Sequence, residues 1–277
     1  MGKLSFLCPV CREALTETEH GWVCANRHNF DKAKSGYVNL LLANAKHAKI
    51  PGDNKQMVQA RRAFLEKGYY QKLADALCEQ AVDGLSGIPC PAVLDAGCGE
   101  GYYTSAVEQQ LSKVCKPTVL GADISKFALD AAAKRNKQVR YGVASVFHLP
   151  VADDSCDAVM NLFAPYCGEE FRRVLKANGL LFLVIPGRRH LWELKEAVYD
   201  APYENEVKDY TLEGFALIRT VRIADTIALT RAEDIQNLFC MTPYSYKTSA
   251  SDTARLQKLE HLTTGIEFEL LVYRKAE

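Results

Sequence analysis

The sequence predicts an α/β chain: a doubly wound, mostly parallel sheet preceded by a small metal-held domain. Three observations carry this. Ala92 to Leu94 is a short apolar run that ends in an acid, Asp95, and is followed by Gly97, Gly99 and Gly101 and then an amphipathic stretch to Leu111. Strand, glycine turn and helix in that order open a doubly wound domain, whose ligands settle at the carboxyl ends of the strands. The pattern then repeats, with Thr118 to Ala122 ending in Asp123, a helix, and a third run from Val139 to Val143. The third observation is the N-terminal block Cys8-Pro-Val-Cys11, twelve residues, then Cys24-Ala-Asn-Arg-His28.

That N-terminal block supplies three thiolates and one imidazole, a closed tetrahedral set for one structural zinc ion. Two ligands sit on each short knuckle, and His20-Gly21 can turn a hairpin between them with Trp22-Val23 returning. So small a unit has little core of its own, so the metal supplies much of its stability. No ligand position is left open for water, which argues against a catalytic zinc. Residues 1–40 are therefore expected to be a zinc-binding ribbon, with Phe30 to Leu42 packing its edge and ending in a strand.

Residues 41–91 read as a basic loop and a helical linker. The loop carries Lys46, His47 and Lys49 and closes on Pro51-Gly52. Asp53 is a suitable N-cap for a helix to Lys67, stopped by Gly68, and a second helix runs from Tyr69-Tyr70 to Val82. Arg61 and Arg62 lie on the first helix, placed equally well for surface ion pairs or for phosphate.

The α/β domain is expected over residues 92–277. Ser125 caps a helix that ends near Asn136. Asp157 opens the fourth strand, Glu169 to Leu175 is a helix, and Leu180 to Ile185 is the fifth strand. His190 follows the turn Pro186-Gly187, where capping or packing competes with a role in proton handling. Glu213 to Ala228 and Ile266 to Tyr273 are the last strands. Between them Arg231 to Met241 forms a helix, and Thr242-Pro243-Tyr244 is a loop able to close over a substrate.

Apolar and charged fractions of 48% and 25% are those of an ordinary soluble protein. No run approaches the roughly 18 apolar residues that span a bilayer, and no signal-peptide core is evident. A cytoplasmic setting is expected, with the ten cysteines as thiols or metal ligands. Net charge is zero, but residues 1–70 hold eleven Lys/Arg against six Asp/Glu while residues 200–277 hold nine against thirteen. Such a gradient is a modest footprint for a polyanion.

The run Asp95-Ala-Gly97-Cys-Gly99-Glu-Gly101, with Asp123 one strand later, resembles the class I S-adenosylmethionine (SAM) methyltransferases. Asp123 could accept both ribose hydroxyls. Leu149 to Asp157 looks like the stretch beside the adenine ring. Ala164-Pro165-Tyr166 stands where amino-methylating relatives carry an intact Asn-Pro-Pro-Tyr, so that role is not assigned. Further motifs narrow the likeness. Cys-Pro-Val-Cys, Asn-Arg-His-Asn-Phe-Asp, Gln-Ala-Arg-Arg-Ala-Phe-Leu, Pro-Gly-Arg-Arg-His-Leu and Met-Thr-Pro-Tyr resemble the bacterial 23S ribosomal RNA guanine-N1 methyltransferases of the RlmA type.

The resemblance implies a seven-stranded sheet and methylation of N1 of one guanine in a 23S rRNA hairpin. It implies SAM contacts at Tyr70, Asp95, Gly97, Gly99, Glu100, Gly101, Asp123 and His190, and zinc on Cys8, Cys11, Cys24 and His28. It also implies a homodimer. Guanine N1 carries a proton at neutral pH, so a base or a stabiliser of the anion is required. His190, Glu100 and Asp157 are the candidates. An unpaired guanine would stack on an aromatic, with Phe163, Tyr166 and Tyr244 to be tested. Two other readings are a small-molecule SAM methyltransferase with a structural ribbon and a zinc-dependent RNA-binding protein without catalysis. The intact acids and glycines count against the second of these.

Overall fold

In the computed structural model, residues 4–42, 52–206, 209–242, 244 and 248–276 are described. The basic loop with Lys46, His47 and Lys49 lies outside them.

The ribbon is an antiparallel sheet of β1 (Leu15–Glu17), β2 (Gly21–Cys24) and β3 (Asn29–Asp31). It is followed by β4 (Val38–Asn39), then α1 (Lys55–Leu65) and α2 (Gln71–Leu85). Asn54 rather than Asp53 caps α1, its Oδ1 accepting from Met57 N at 3.0 Å. Asp53 is thereby released to pair with Arg61.

The α/β core runs β5 (Ala92–Ala96), α3 (Tyr102–Leu111), β6 (Thr118–Asp123), α4 (Lys126–Arg135), β7 (Arg140–Val143), β8 (Cys156–Leu162), α5 (Gly168–Val174) and β9 (Leu175–Pro186). Then come α6 (Trp192–Val198), β10 (Phe215–Leu229), α7 (Ala232–Cys240), α8 (Ala250–Leu256) and β11 (Leu262–Lys275). Ser125 caps α4 as expected, accepting from Ala128 N.

The strand order is β10-β11-β9-β8-β5-β6-β7-β4, with β11 antiparallel to both its neighbours and every pair from β9 to β4 parallel. The order reverses between β5 and β8, which places a crevice at the carboxyl end of β5. Among the described residues this sheet has eight strands where seven are expected, because β4 adds to the edge beside β7.

This eighth strand is part of a larger feature. Parallel strands need cover on both faces, and alternate residues of each strand face opposite layers. Val93, Tyr141, Met160, Phe182 and Phe268 pack with the helical layer that includes Leu73 and Leu77 of α2, Val107 of α3 and Leu129 of α4. Ala92, Leu94, Ala96, Leu120 and Ala122 instead share a core with Leu4, Phe6, Cys8, Leu15, Trp22 and Cys24 of the ribbon and with Phe171 of α5. A Cβ on Gly142 of β7 would lie 2.9 Å from the Phe6 ring, so the ribbon sits directly on the sheet. The division expected at residue 40 thus falls inside one shared core.

Candidate SAM cleft and zinc knuckle

The carboxyl ends of β5, β6 and β8 open into a cavity of about 780 Å³, of a size that suits a cofactor and a ring-sized substrate. The glycine turn after β5 forms its floor. Gly97 and Gly101 have φ of +91° and +80°. A Cβ at Gly97 would come within 2.3 Å of the Ala164 side chain, and one at Gly101 within 2.9 Å of Ala132. Only glycine meets both conditions.

Asp95 is buried behind this turn. Its Oδ2 accepts from Thr104 Oγ1 at 2.5 Å, and its Oδ1 has no partner. Burial raises its carboxyl to about 7, with the Thr104 bond pulling the other way. Asp123 ends β6 and accepts from Gly99 N (2.9 Å) and Ser125 N (2.8 Å). Burial raises it too, offset in part by those two bonds. Each carboxylate oxygen can accept a further bond, so Asp123 remains able to take hydroxyls.

Glu100 is buried in the same turn, and Arg135 of α4 donates to its Oε2 from Nε at 3.0 Å and Nη2 at 2.6 Å. Burial moves its carboxyl up although Arg135 opposes this. Glu100 therefore fixes the turn to α4 more than it offers a free base.

Tyr70 and His190 form the far wall. Tyr70 Oη lies 3.4 Å from His190 Nε2, and His190 Nδ1 accepts from Glu267 N at 3.2 Å. With Nδ1 accepting, the ring proton falls on Nε2. Burial lowers the imidazole to about 3, aided by Lys195. His190 is thus a neutral wall residue and a weak proton acceptor.

Asp157, the third candidate base, does not reach the cleft. Its Oδ2 accepts from Ala92 N (2.8 Å) and its Oδ1 from Lys176 Nζ (2.7 Å), so it ties the starting ends of β5, β8 and β9. An acid that opens a parallel strand lies at the opposite edge from one that closes it. Of the aromatics, Phe163 and Tyr244 line the cleft, whereas Tyr166 packs on Phe171 with ring centroids 5.5 Å apart. Phe163 has φ of +55° and half its surface exposed, with Tyr103 and Phe268 at its back.

Other cleft residues carry no local signature. Arg61 lines the cleft over the glycine turn, paired with Asp53 and donating to Met241 O at 3.4 Å. Phe268 reaches it from β11, packed on Tyr70 and His190 at 4.9 and 4.6 Å. Asn161 Nδ2 donates to Ala96 O (2.8 Å) and Pro165 O (3.3 Å), holding the Ala164-Pro165 segment against the turn. Nothing beside Asn161 in the sequence announces this bridge.

In the ribbon, one ligand atom from each of Cys8, Cys11, Cys24 and His28 lies within 4.8 Å of the others. His28 Nδ1 is 3.5 Å from Cys8 Sγ and 3.4 Å from Cys24 Sγ, and Cys11 and Cys24 Sγ are 3.7 Å apart. Those three separations are close to the tetrahedral edges that Zn–S bonds near 2.3 Å and a Zn–N bond near 2.0 Å would span. The donor set and its spacing fit one structural zinc.

Comparison with known proteins agrees with this geometry. Residues 6–49 match the family model described as "RlmA, N-terminal", a zinc ribbon, and residues 94–183 match a "Methyltransferase domain". A Streptomyces fradiae protein named "23S rRNA (guanine(748)-N(1))-methyltransferase" is 30% identical, with 94% of each chain covered. A Micromonospora griseorubida protein named "Putative 23S rRNA (guanine-N(1)-)-methyltransferase" is 33% identical, with 96% of each chain covered. The chain belongs to this family. Among solved structures, the [4+2]-cyclase SpnF aligns with a TM-score of 0.50 at 16% identity over 83% of this chain and 99% of that one, a likeness of fold alone.

As a member of the RlmA-type methyltransferases, the chain has SAM as its cofactor and zinc as a structural ion. The site residues fit SAM. The partnerless Asp95 Oδ1 and the buried, partnerless Tyr103 Oη border the cleft, and the glycine floor leaves no Cβ to fill it.

Proposed function

We propose that this protein methylates N1 of one guanine in a hairpin of 23S rRNA. The observation that carries the reading is the ribbon fused to the sheet beneath the cofactor cleft, in a chain matched end to end by family members named for that reaction. SAM supplies an electrophilic methyl group when bound. Tyr70, Asp95, Gly97, Gly99, Glu100, Gly101, Asp123 and His190 are our cofactor contacts, with Arg61 added from its place over the turn.

The chain's own work is alignment and exclusion of water, since holding two reactants in line removes much of the barrier. Phe163 offers a half-exposed ring for an unstacked base, backed by Tyr103 and Phe268. Base–aromatic stacking contributes roughly 1–3 kcal/mol. Cys8, Cys11, Cys24 and His28 hold the zinc that keeps the ribbon on the sheet. No described helix is long and apolar enough to cross a membrane, and the reading places the protein in the cytoplasm as a homodimer.

The test uses purified protein, tritiated SAM and 23S rRNA from a strain lacking the activity, followed by nuclease mapping. One labelled guanine N1 is expected. Label entering a small-molecule extract while rRNA takes none would replace this reading with that of a small-molecule methyltransferase.

A further inference from the structure

Guanine N1 must lose its proton, yet the acids and the imidazole considered for that task are badly placed. Glu100 is held by Arg135, Asp157 lies at the other edge of the sheet, and His190 Nδ1 is occupied by Glu267 N. A route that needs none of them is to stabilise the charge that deprotonation leaves on N1 and O6.

Lys195 of α6 has the position for that. It is 1% exposed, an unusual state for an ammonium group. Its Nζ donates to Asn205 Oδ1 at 2.7 Å and to Tyr203 O at 2.9 Å. It also lies 4.7 Å from the Tyr203 ring centroid and 5.2 Å from that of Tyr244. Glu204, the acid that acts on it, is paired with Arg188 at 3.3 Å. A buried charge without its own counter-ion is costly. Of the groups it touches, Asn205 and Tyr244 line the cleft, and Tyr244 Oη donates to Asn205 Oδ1 at 3.5 Å. Asn205 Nδ2 is fixed by Gly187 O at 2.8 Å, with one N–H to spare.

We propose that Lys195 is a positioning residue that, together with Tyr244, polarises the Asn205 amide through its Oδ1, so that the spare Asn205 N–H stabilises the negative charge developing on guanine N1 and O6. This rests on the rRNA reading above. The N1 proton passes to bulk water. The N1 lone pair then forms the new N–C bond as the C–S bond breaks with its electron pair going to sulfur, so an anion and a sulfonium become two neutral products. A preorganised cation in a water-poor site acts on such charge without reorganisation.

The titratable groups that face Lys195 are Glu204 and Tyr203 from the segment after α6, Tyr244 from the segment after α7, and His190 ahead of its own helix. On the packed elements, Asp252 and Arg255 of α8 pair with each other, and Glu267 of β11 accepts from Arg189 N.

The experiment measures kcat and KM against pH with an rRNA hairpin transcript for wild type, Lys195→Met and Lys195→Arg, with SAM binding by calorimetry. Lys195→Met should bind SAM normally and lose about 100-fold in kcat near neutral pH, the size found for loss of one charge-stabilising donor. The loss should shrink as pH rises, because the variant's rate levels off at a higher pH than the wild type's, and Arg should recover part of it. An equal loss at every pH, a loss confined to KM, or no loss overturns the proposal. Should Lys195→Met not fold, Tyr244→Phe and Asn205→Leu must show the same pH-dependent loss, and a flat loss in both overturns it. Wild type that labels no guanine N1 refutes the rRNA reading itself. Wild type that labels N1 beside variants without the pH effect refutes this inference alone.

Discussion

The backbone N–H of Gly99 donates to Asp123 Oδ2 at 2.9 Å, so the acid that closes β6 holds the turn that follows β5. One carboxylate therefore shapes the cleft floor and itself lines the cleft, where we propose that it takes the ribose hydroxyls. Asp123→Ala should lose both roles. Loss of a hydrogen bond to a charged group costs about 1.5–3 kcal/mol, which corresponds to SAM binding roughly 10- to 100-fold weaker. Calorimetry on a variant with unchanged circular dichroism checks this, and unaltered affinity would remove Asp123 from the cofactor site.

Asp95 makes a pH prediction. Burial raises its carboxyl to about 7 in the folded chain, above the usual value near 3.9. The folded state then binds the proton more tightly than the unfolded state does. Its contribution to stability is complete below the unfolded value and is lost as pH rises through 7. Asp95→Asn keeps an acceptor for Thr104 and removes the ionisation. Without cofactor, the Tm of the variant should gain on wild type between pH 4 and pH 8. A difference that stays constant over that range would mean that burial does not perturb Asp95.

The ribbon shares its core with the sheet, since Phe6, Cys8 and Cys24 pack in one cluster with Leu94 and Leu120. Leu7 N also donates to Pro150 O at 2.7 Å, in the segment between β7 and β8. Cys24→Ala should therefore release the zinc and do more than melt the ribbon. One cooperative transition at lower Tm is expected, together with weaker SAM binding, because Val146 and Phe147 of that segment line the cleft. Two separate transitions, with the second at the wild-type Tm, would show the ribbon to be an independent unit.

The parts legible in the sequence are those with a local pattern. Cys8 to His28 has ligand spacing, and Gly97 to Gly101 with Asp123 has strand-turn-helix spacing. The strands from β5 to β9 are apolar runs ending in turns, and they read directly. Asp157 shows the limit, because the same residue type carries opposite meaning at the two ends of a parallel strand, and its place before the apolar run already pointed away from the cleft. Other features depend on contacts remote in sequence. Phe268 meets Tyr70 only because β11 inserts beside β9, and β4 is two residues that gain strand character by pairing with β7. The helix α8 leaves no mark in the sequence, because Ala-Ser-Asp-Thr-Ala-Arg-Leu lacks an apolar stripe. Lys195 reads as a surface lysine, since nothing beside it in sequence announces the tyrosine rings that enclose it.

Arg135 and Glu100 give the last prediction. Glu100 has 1% of its side chain exposed, and Arg135 supplies its paired charge from α4 at 2.6 Å. Arg135 also reaches Glu66 of the loop after α1 at 3.2 Å, so one guanidinium joins the cleft floor to the helical linker. Removing one partner of a buried pair leaves an uncompensated charge, which costs about 3–5 kcal/mol, whereas replacing both is often close to neutral. Arg135→Met should therefore destabilise the chain by that amount in urea unfolding. Glu100→Gln added to it should recover much of the loss, because the orphaned charge is gone. If the double variant is as unstable as the sum of the two single ones, the pair is not coupled. Glu100 would then be held by burial alone, and the linker would have no electrostatic hold on the turn.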